Sequence, residues 1–99
     1  MVRIVWTELS TQDLRDIHYY IALDSQRYAT ITVNKIFQGV QVVSENPLIG
    51  RMVPEFLVKS IREIRVGNYR IIYRIKDKAQ VDILRVFHVA RLLRKKTLE

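Results

Sequence analysis

Six arginines recur along three apolar runs between residues 61 and 91: Arg62 and Arg65, then Arg70 and Arg74, then Arg85 and Arg91. A guanidinium presents a rigid fork of donors that fits phosphate or carboxylate oxygens two at a time, so arginines on strands suit an anionic ligand. Arg70 and Arg74 are four residues apart and share a strand face. They can hold phosphate oxygens there, pair across strands with Glu63 or Asp82, or stand in solvent. His88 closes the last run with Arg91 close behind. A histidine titrating near neutrality beside a cation can act as general acid or base in phosphodiester cleavage. It can equally be a strand-end residue that bonds a carbonyl and packs on a helix. The basic tail of about 91–99, with Arg91, Arg94, Lys95 and Lys96, either docks on an acidic target or nucleic acid or only keeps the chain soluble.

Other chemistries lack their residues. There is no cysteine and there are only two histidines, so neither a thiolate zinc site nor a histidine-rich cluster can be built. No Gly-rich phosphate loop, nucleophile elbow or metal-binding His/Glu spacing occurs. No metal or cofactor is expected, and any enzyme here would be a metal-free acid-base catalyst. Trp6 reads as a core or rim anchor, His18 as an ordinary residue of an amphipathic helix, and Tyr19, Tyr20, Tyr69 and Tyr73 as core or half-buried.

The elements that position these groups follow from pattern. Residues 2–6 are β-branched and aromatic and read as a strand. Ser10 or Thr11 can cap a helix of about 10–23, with Asp13 in its first turn and Leu14, Ile17 and Ile21 at helical spacing. Asp24-Ser25 offers a second cap. Ala29, Val33, Ile36, Phe37, Val40 and Val43 then define a helix of about 26–45 that stops before Pro47. Two helices so joined form an antiparallel hairpin. Residues 47–59, with Pro47, Gly50 and Pro54, read as a loop packed over the domain. Strands at 61–66, 69–76 and 81–87 are separated by Gly67-Asn68 and Asp77-Lys78, which makes an antiparallel meander. Alternation puts Tyr69, Ile71, Tyr73 and Ile75 under the helices and Arg70, Ile72, Arg74 and Lys76 on the other face. For the last strand, Val81, Ile83, Arg85 and Phe87 compete with Asp82, Leu84, Val86 and His88 for the core. The expected fold class is α+β, a small single domain over 1–99, ordered β-α-α-β-β-β, with the helical hairpin packed on one face of an antiparallel sheet.

The 99 residues carry 17 Lys+Arg against 10 Asp+Glu, a net charge of +7. That excess favours an anionic partner, whether nucleic acid, a ribonucleoprotein or an acidic protein, and implies that a partner neutralises the chain in the cell. The first residues reach charge at once and no run of about 18 apolar residues exists, so a cytoplasmic protein with no membrane contact is expected.

Taken with the element order, Trp6, Asp13-Leu14, Ile17 and Tyr20-Ile21, the segments Asn46-Pro47-Leu48-Ile49-Gly50-Arg51 and Ile61-Arg62-Glu63-Ile64 resemble the RelE/ParE superfamily of bacterial toxins. The run from Val66 through Tyr69-Arg70-Ile71-Ile72-Tyr73-Arg74-Ile75 and the ending Ile83-Leu84-Arg85-Val86-Phe87-His88 with Arg91 extend the likeness over nearly the whole chain. The resemblance implies a toxin of a plasmid-stabilisation or chromosomal toxin-antitoxin operon, held inactive by a cognate, ParD-like antitoxin whose C-terminal segment wraps it. Operator DNA would be reached only through that antitoxin.

RelE-like members cleave messenger RNA on the ribosome, whereas ParE-like members inhibit DNA gyrase. A RelE-like basic pair would fall near Ile61 and Glu63, neither of which is basic, and no tyrosine follows Tyr73. Charge stabilisation and proton transfer at a phosphate are then weakened. The Pro-x-x-Gly-Arg loop, Trp6 and the tyrosines of the first helix are closer to ParE. The resemblance therefore implies a ParE-like gyrase poison that binds through Arg70, Arg85, Arg91 and Arg94, with the antitoxin in an apolar groove of helices 10–23 and 26–45. The alternative is a ribosome-dependent ribonuclease using Arg70, His88 and Arg91. A third possibility is a non-toxic nucleic-acid-binding module.

Overall fold

A computed structural model describes residues 1–89. The chain runs β1 (Arg3–Trp6), α1 (Glu8–Ala22), α2 (Gln26–Glu45), β2 (Arg51–Met52), β3 (Ile61–Val66), β4 (Tyr69–Ile75) and β5 (Gln80–His88). The strands form one sheet in the order β1-β5-β4-β3-β2. The expected α+β architecture, with the helical hairpin on one sheet face, is what forms.

Three details differ from the sequence reading. The sheet is mixed: β1 lies parallel to β5, with Ile4 opposite Val81 and Trp6 opposite Ile83, while the remaining pairs are antiparallel. The loop before β3 contributes a two-residue edge strand, too short to leave an alternation in the sequence. Helix α1 starts two residues early because Thr7, still extended at the end of β1, is its cap. The Thr7 hydroxyl accepts from Ser10 N–H at 3.2 Å and donates to the Ile83 carbonyl at 2.7 Å, tying the helix start to β5. The hydroxyls of Ser10 and Thr11, the expected caps, turn back onto the Thr7 carbonyl. Helix α2 begins where its pattern predicts, with Ser25 Oγ accepting from Tyr28 N–H at 3.1 Å.

The main core lies between helices and sheet, where Leu14, Ile36, Val40 and Val43 meet Ile71, Tyr73, Val81, Ile83 and Val86. Trp6 packs at its rim, edge-on to Phe37 with ring centroids 5.2 Å apart. Helix α2 comes close to the sheet at Gly39, where an added Cβ would lie 2.5 Å from a Val66 methyl. A bulge resolves the ambiguity of β5. Ile72 faces Arg85 but Tyr73 faces Ile83, leaving Leu84 as an extra residue. Val81 and Ile83 before the bulge and Val86 after it can therefore all reach the helices.

On the other face Ile72, Leu84 and Phe87 pack under Val53 and Phe56 of residues 53–60, a strap that crosses the sheet between β2 and β3. Leu57 in this strap has φ +54°. A left-handed backbone costs a side-chain-bearing residue about 1–2 kcal/mol. Among the described residues no helix is long and apolar enough to cross a membrane.

Candidate functional site

Arg70 was expected on the open face of β4, and it is on that face, but it is buried. Its Nε and Nη2 donate to the two Glu63 oxygens at 3.1 and 2.6 Å, while Nη1 and Nη2 donate to Glu55 at 2.9 Å each. The cross-strand pairing with Glu63 is thus realised, and the strap carboxylate of Glu55 completes it. The hydrogen bonds that Arg70 donates to Glu55 and then to Glu63 push its pKa upward, more than burial lowers it. Arg51 stands at the rim, 3.6 Å from Glu63. The guanidinium is used up in holding the strap to the sheet.

The Pro-x-x-Gly-Arg segment is fastened from the other face. Tyr73, fully buried, donates its hydroxyl to the Pro47 carbonyl at 2.7 Å and accepts from Gly50 N–H at 2.9 Å. Arg62 donates to the Gly50 carbonyl at 2.8 Å. A Cβ at Gly50 would lie 2.5 Å from the Tyr73 hydroxyl and 2.6 Å from the Glu63 carbonyl, so the motif needs its glycine for close approach. Burial pushes the Tyr73 phenol pKa up, against the lowering effect of the Gly50 bond and of Arg62.

Arg85 also turns back into the fold. Its Nε and Nη2 bind the two oxygens of Asp13 at 2.8 and 2.9 Å, and its guanidinium carbon sits 4.4 Å from the Phe87 ring centroid. Asp13 takes the Val86 N–H as well, at 2.9 Å. Helix α1 thereby closes the stretch of β5 that β1 does not cover. Arg74 pairs with Asp82 at 3.0 Å, the cross-strand use expected for it. Arg91 and Arg94 lie outside the described residues.

His88 is exposed at the lip of a cleft of about 340 Å³ lined by Asp13, Asp16, Ile17, Tyr20 and Tyr69. Its ring meets Tyr69 edge-on, with centroids 6.0 Å apart. Around the corner, Ile21, Tyr28, Ile31 and Lys35 of the hairpin and Val66 and Tyr69 of the sheet line a notch of about 200 Å³. The β3–β4 turn forms one end of this notch, and Gly67 holds that turn at φ +58°. A second recess of about 550 Å³ at the helix–helix turn shares Ile21 and Tyr28 and adds Tyr20 and Leu23. Burial, then Tyr28 and Tyr20, raise the Tyr69 pKa, so three phenols converge on this end of the molecule. The expectation that Tyr19 and Tyr20 are core or half-buried is corrected: both project into solvent. They flank Ile17 and Ile21 in sequence, yet neither joins the core in which Leu14 and Ile17 meet the sheet.

Sequence reasoning found the arginines and two of their carboxylates, Glu63 and Asp82, and missed Asp13 and Glu55. The sequence pattern places Asp13 only in the first turn of a helix. Yet it precedes Ile17 by four residues and Ile21 by eight, so it lies on the packed stripe, where a carboxylate needs a partner. Glu55 left no periodic signal in its loop.

A family model described as "ParE toxin of type II toxin-antitoxin system, parDE" matches residues 4–93. Among solved structures, the fold is similar to that of a chain of the chromosomal ParDE toxin-antitoxin system from P. aeruginosa. That match has a TM-score of 0.73 at 25% identity, over 90% of this chain and 97% of the other. It is also similar to a chain of the toxin-antitoxin complex RelBE2 from Mycobacterium tuberculosis, with a TM-score of 0.62 at 28% identity, over 88% and 96% of the two chains. The YoeB dimer from Staphylococcus aureus shares the fold at 15% identity, with a TM-score of 0.61 over 88% and 95%. No curated protein matches the sequence at a significant level.

Proposed function

The chain belongs to the ParE toxin family of type II toxin-antitoxin systems, and from that premise we propose that it poisons DNA gyrase and is held inactive by a ParD-like antitoxin. The observation that carries the choice of target is the state of Arg70. A ribonuclease of this fold needs a guanidinium free to meet the scissile phosphate, and this one is buried between two carboxylates. Glu63, where a basic residue would assist, is itself buried and acidic, and would repel a phosphate. These features support action by binding. Arg91 and Arg94 remain the proposed tail contacts to the target, while Arg70 and Arg85 contribute by holding the strap and α1 to the sheet.

The antitoxin is assigned to the notch at the end of the hairpin. Its Ile21, Tyr28, Ile31 and Tyr69 offer an apolar seat with Lys35 alongside, which suits an amphipathic segment carrying a carboxylate. The ribosome-dependent ribonuclease remains the second reading because His88 stands exposed beside a cleft that also holds Asp16 and Tyr69.

One experiment separates the two: purified protein added to gyrase and, in parallel, to programmed ribosomes. Trapped double-strand breaks without messenger cleavage are expected. Cleavage without breaks, lost in His88→Ala, would transfer the function to the second reading.

A further inference from the structure

The strap and the segment leading into it carry more apolar surface than their packing uses. Within eleven residues Leu48, Ile49, Met52, Leu57 and Val58 are all exposed, Leu48 at 66% and Leu57 at 71%. Leu57 is the sharpest case. Its backbone is in the left-handed region that glycine or asparagine adopts more readily, and its side chain gives nothing back to the core. A leucine held there, pointing to solvent, is poorly explained by folding alone.

The ground under it is fastened by directed bonds. Leu57 N–H and Phe56 N–H both bond the Val53 carbonyl, at 2.9 and 3.0 Å. Val53 is buried, and Glu55 is clamped by Arg70. Around it the charge is positive. Arg51 on β2, Lys59 on the strap and Arg65 on β3 are exposed, and a shallow cleft of about 570 Å³ lined by Ile49, Arg51, Glu63, Ile64 and Arg65 opens along the β2 edge. Exposed aliphatic side chains on a fastened support with cations around them fit an apolar slot with an acidic rim. They fit nucleic acid less well, because bases stack on aromatic rings, and the strap's one aromatic, Phe56, is turned into the core.

We propose that this strap, presenting Leu57 on the sheet face away from the helices, is the surface with which the toxin grips an acidic protein target, separate from the antitoxin notch at the hairpin end. The inference rests on the toxin reading but not on gyrase being the target.

The test compares Leu57→Asn, which suits the left-handed backbone and removes the apolar side chain, with Leu57→Met, which keeps an apolar one. Each is expressed without antitoxin and scored for growth arrest at equal soluble level. Each is also purified and titrated with the antitoxin encoded beside it. Leu57→Asn should lose at least tenfold in potency, with its thermal midpoint held or raised and antitoxin affinity within about twofold of wild type. Leu57→Met should stay close to wild type. Undiminished killing by Leu57→Asn overturns the proposal, as does a wild-type chain that arrests nothing. Loss of antitoxin affinity in Leu57→Asn would give the strap to the antitoxin. Killing that survives Leu57→Asn and disappears with Arg51→Glu and Lys59→Glu together would point to a purely ionic contact such as nucleic acid, and also overturns it. If potency follows Leu57 while wild-type protein traps no breaks with purified gyrase, the strap inference stands and the gyrase reading falls.

Discussion

Toward the helices the sheet buries Ile71, Tyr73, Val81, Ile83 and Val86 against aliphatic side chains of α1 and α2, with the part-buried Asp13–Arg85 pair beside them. Away from them, Ile72, Leu84 and Phe87 pack with Val53, Phe56 and Ile61, and beside this smaller patch Arg70 pairs with both Glu63 and Glu55. The first face is held by area removed from water, which tolerates changes of shape that conserve volume. The second depends on a few directed bonds, each of which leaves a buried charge or donor behind when cut. The two halves of one sheet should therefore answer mutation differently.

The largest contrast is expected at Glu63. Glu63→Ala leaves Arg70 short of a partner at a buried site and should cost about 3–5 kcal/mol, as much as the deep cavity of Ile36→Ala, for which about 2–5 kcal/mol is usual. The distinguishing variant is the pair Glu63→Leu with Arg70→Met, which removes both charges and should recover most of the loss. Urea unfolding of the three proteins measures this. A double variant no more stable than Glu63→Ala would mean that the ion network, rather than packing, organises the strap.

Tyr73 combines both kinds of contact: its ring lies in the main core and its hydroxyl ties Pro47 and Gly50. Tyr73→Phe keeps the ring and orphans one carbonyl and one N–H, at about 1–3 kcal/mol. Because the folded phenol pKa is raised, its contribution is complete below the unfolded value of 10.0 and is lost as pH climbs through the higher folded value. Wild type should thus lose stability in alkali more steeply than Tyr73→Phe. Equal alkaline slopes would show that the Tyr73 hydroxyl is already solvated. A smaller effect, about 1 kcal/mol, is expected for Thr7→Ala, which removes the α1 cap and the bond to Ile83, and is read from the thermal midpoint.

The same contrast explains what was legible in the sequence. Helix α2, strands β3 and β4 and the helix-facing side of β4 follow from periodicity, because an apolar face repeats and one aliphatic residue signals like another. Directed contacts leave no such repeat. The Thr7 cap was hidden by two hydroxyl residues just after it, the parallel placing of β1 depends on which edge was open, and the Leu84 bulge shifts an alternation without a turn residue to mark it. The site suffered most. The arginine spacing pointed to an anion, and the anions that Arg70, Arg74 and Arg85 hold are the chain's own Glu55, Glu63, Asp82 and Asp13. Apolar residues in the 47–59 loop predict packing over the domain, yet Leu48, Ile49, Leu57 and Val58 are exposed, because no periodic pattern marks which loop side chains turn inward.

The smallest effect expected is at the Arg74–Asp82 pair, which tests whether ion pairs on the strap face matter by being charged or by being buried. Arg74 is half exposed while Asp82 is nearly covered. Burial pushes the Asp82 pKa up, but bonds from Gln80 and Arg74 outweigh it and hold the carboxyl below its ordinary 3.8. Its stabilisation is therefore present above that value and disappears as pH falls through the lower folded value. With the arginine in solvent, Arg74→Gln should cost no more than about 1 kcal/mol near neutrality, and less at high salt. The difference between variant and wild type should narrow toward pH 3 in urea titrations. A gap that persists unchanged in acid would assign the Arg74 contribution to its aliphatic stem, and would bring this edge closer in kind to the helix-covered face than to the buried clamp around Arg70.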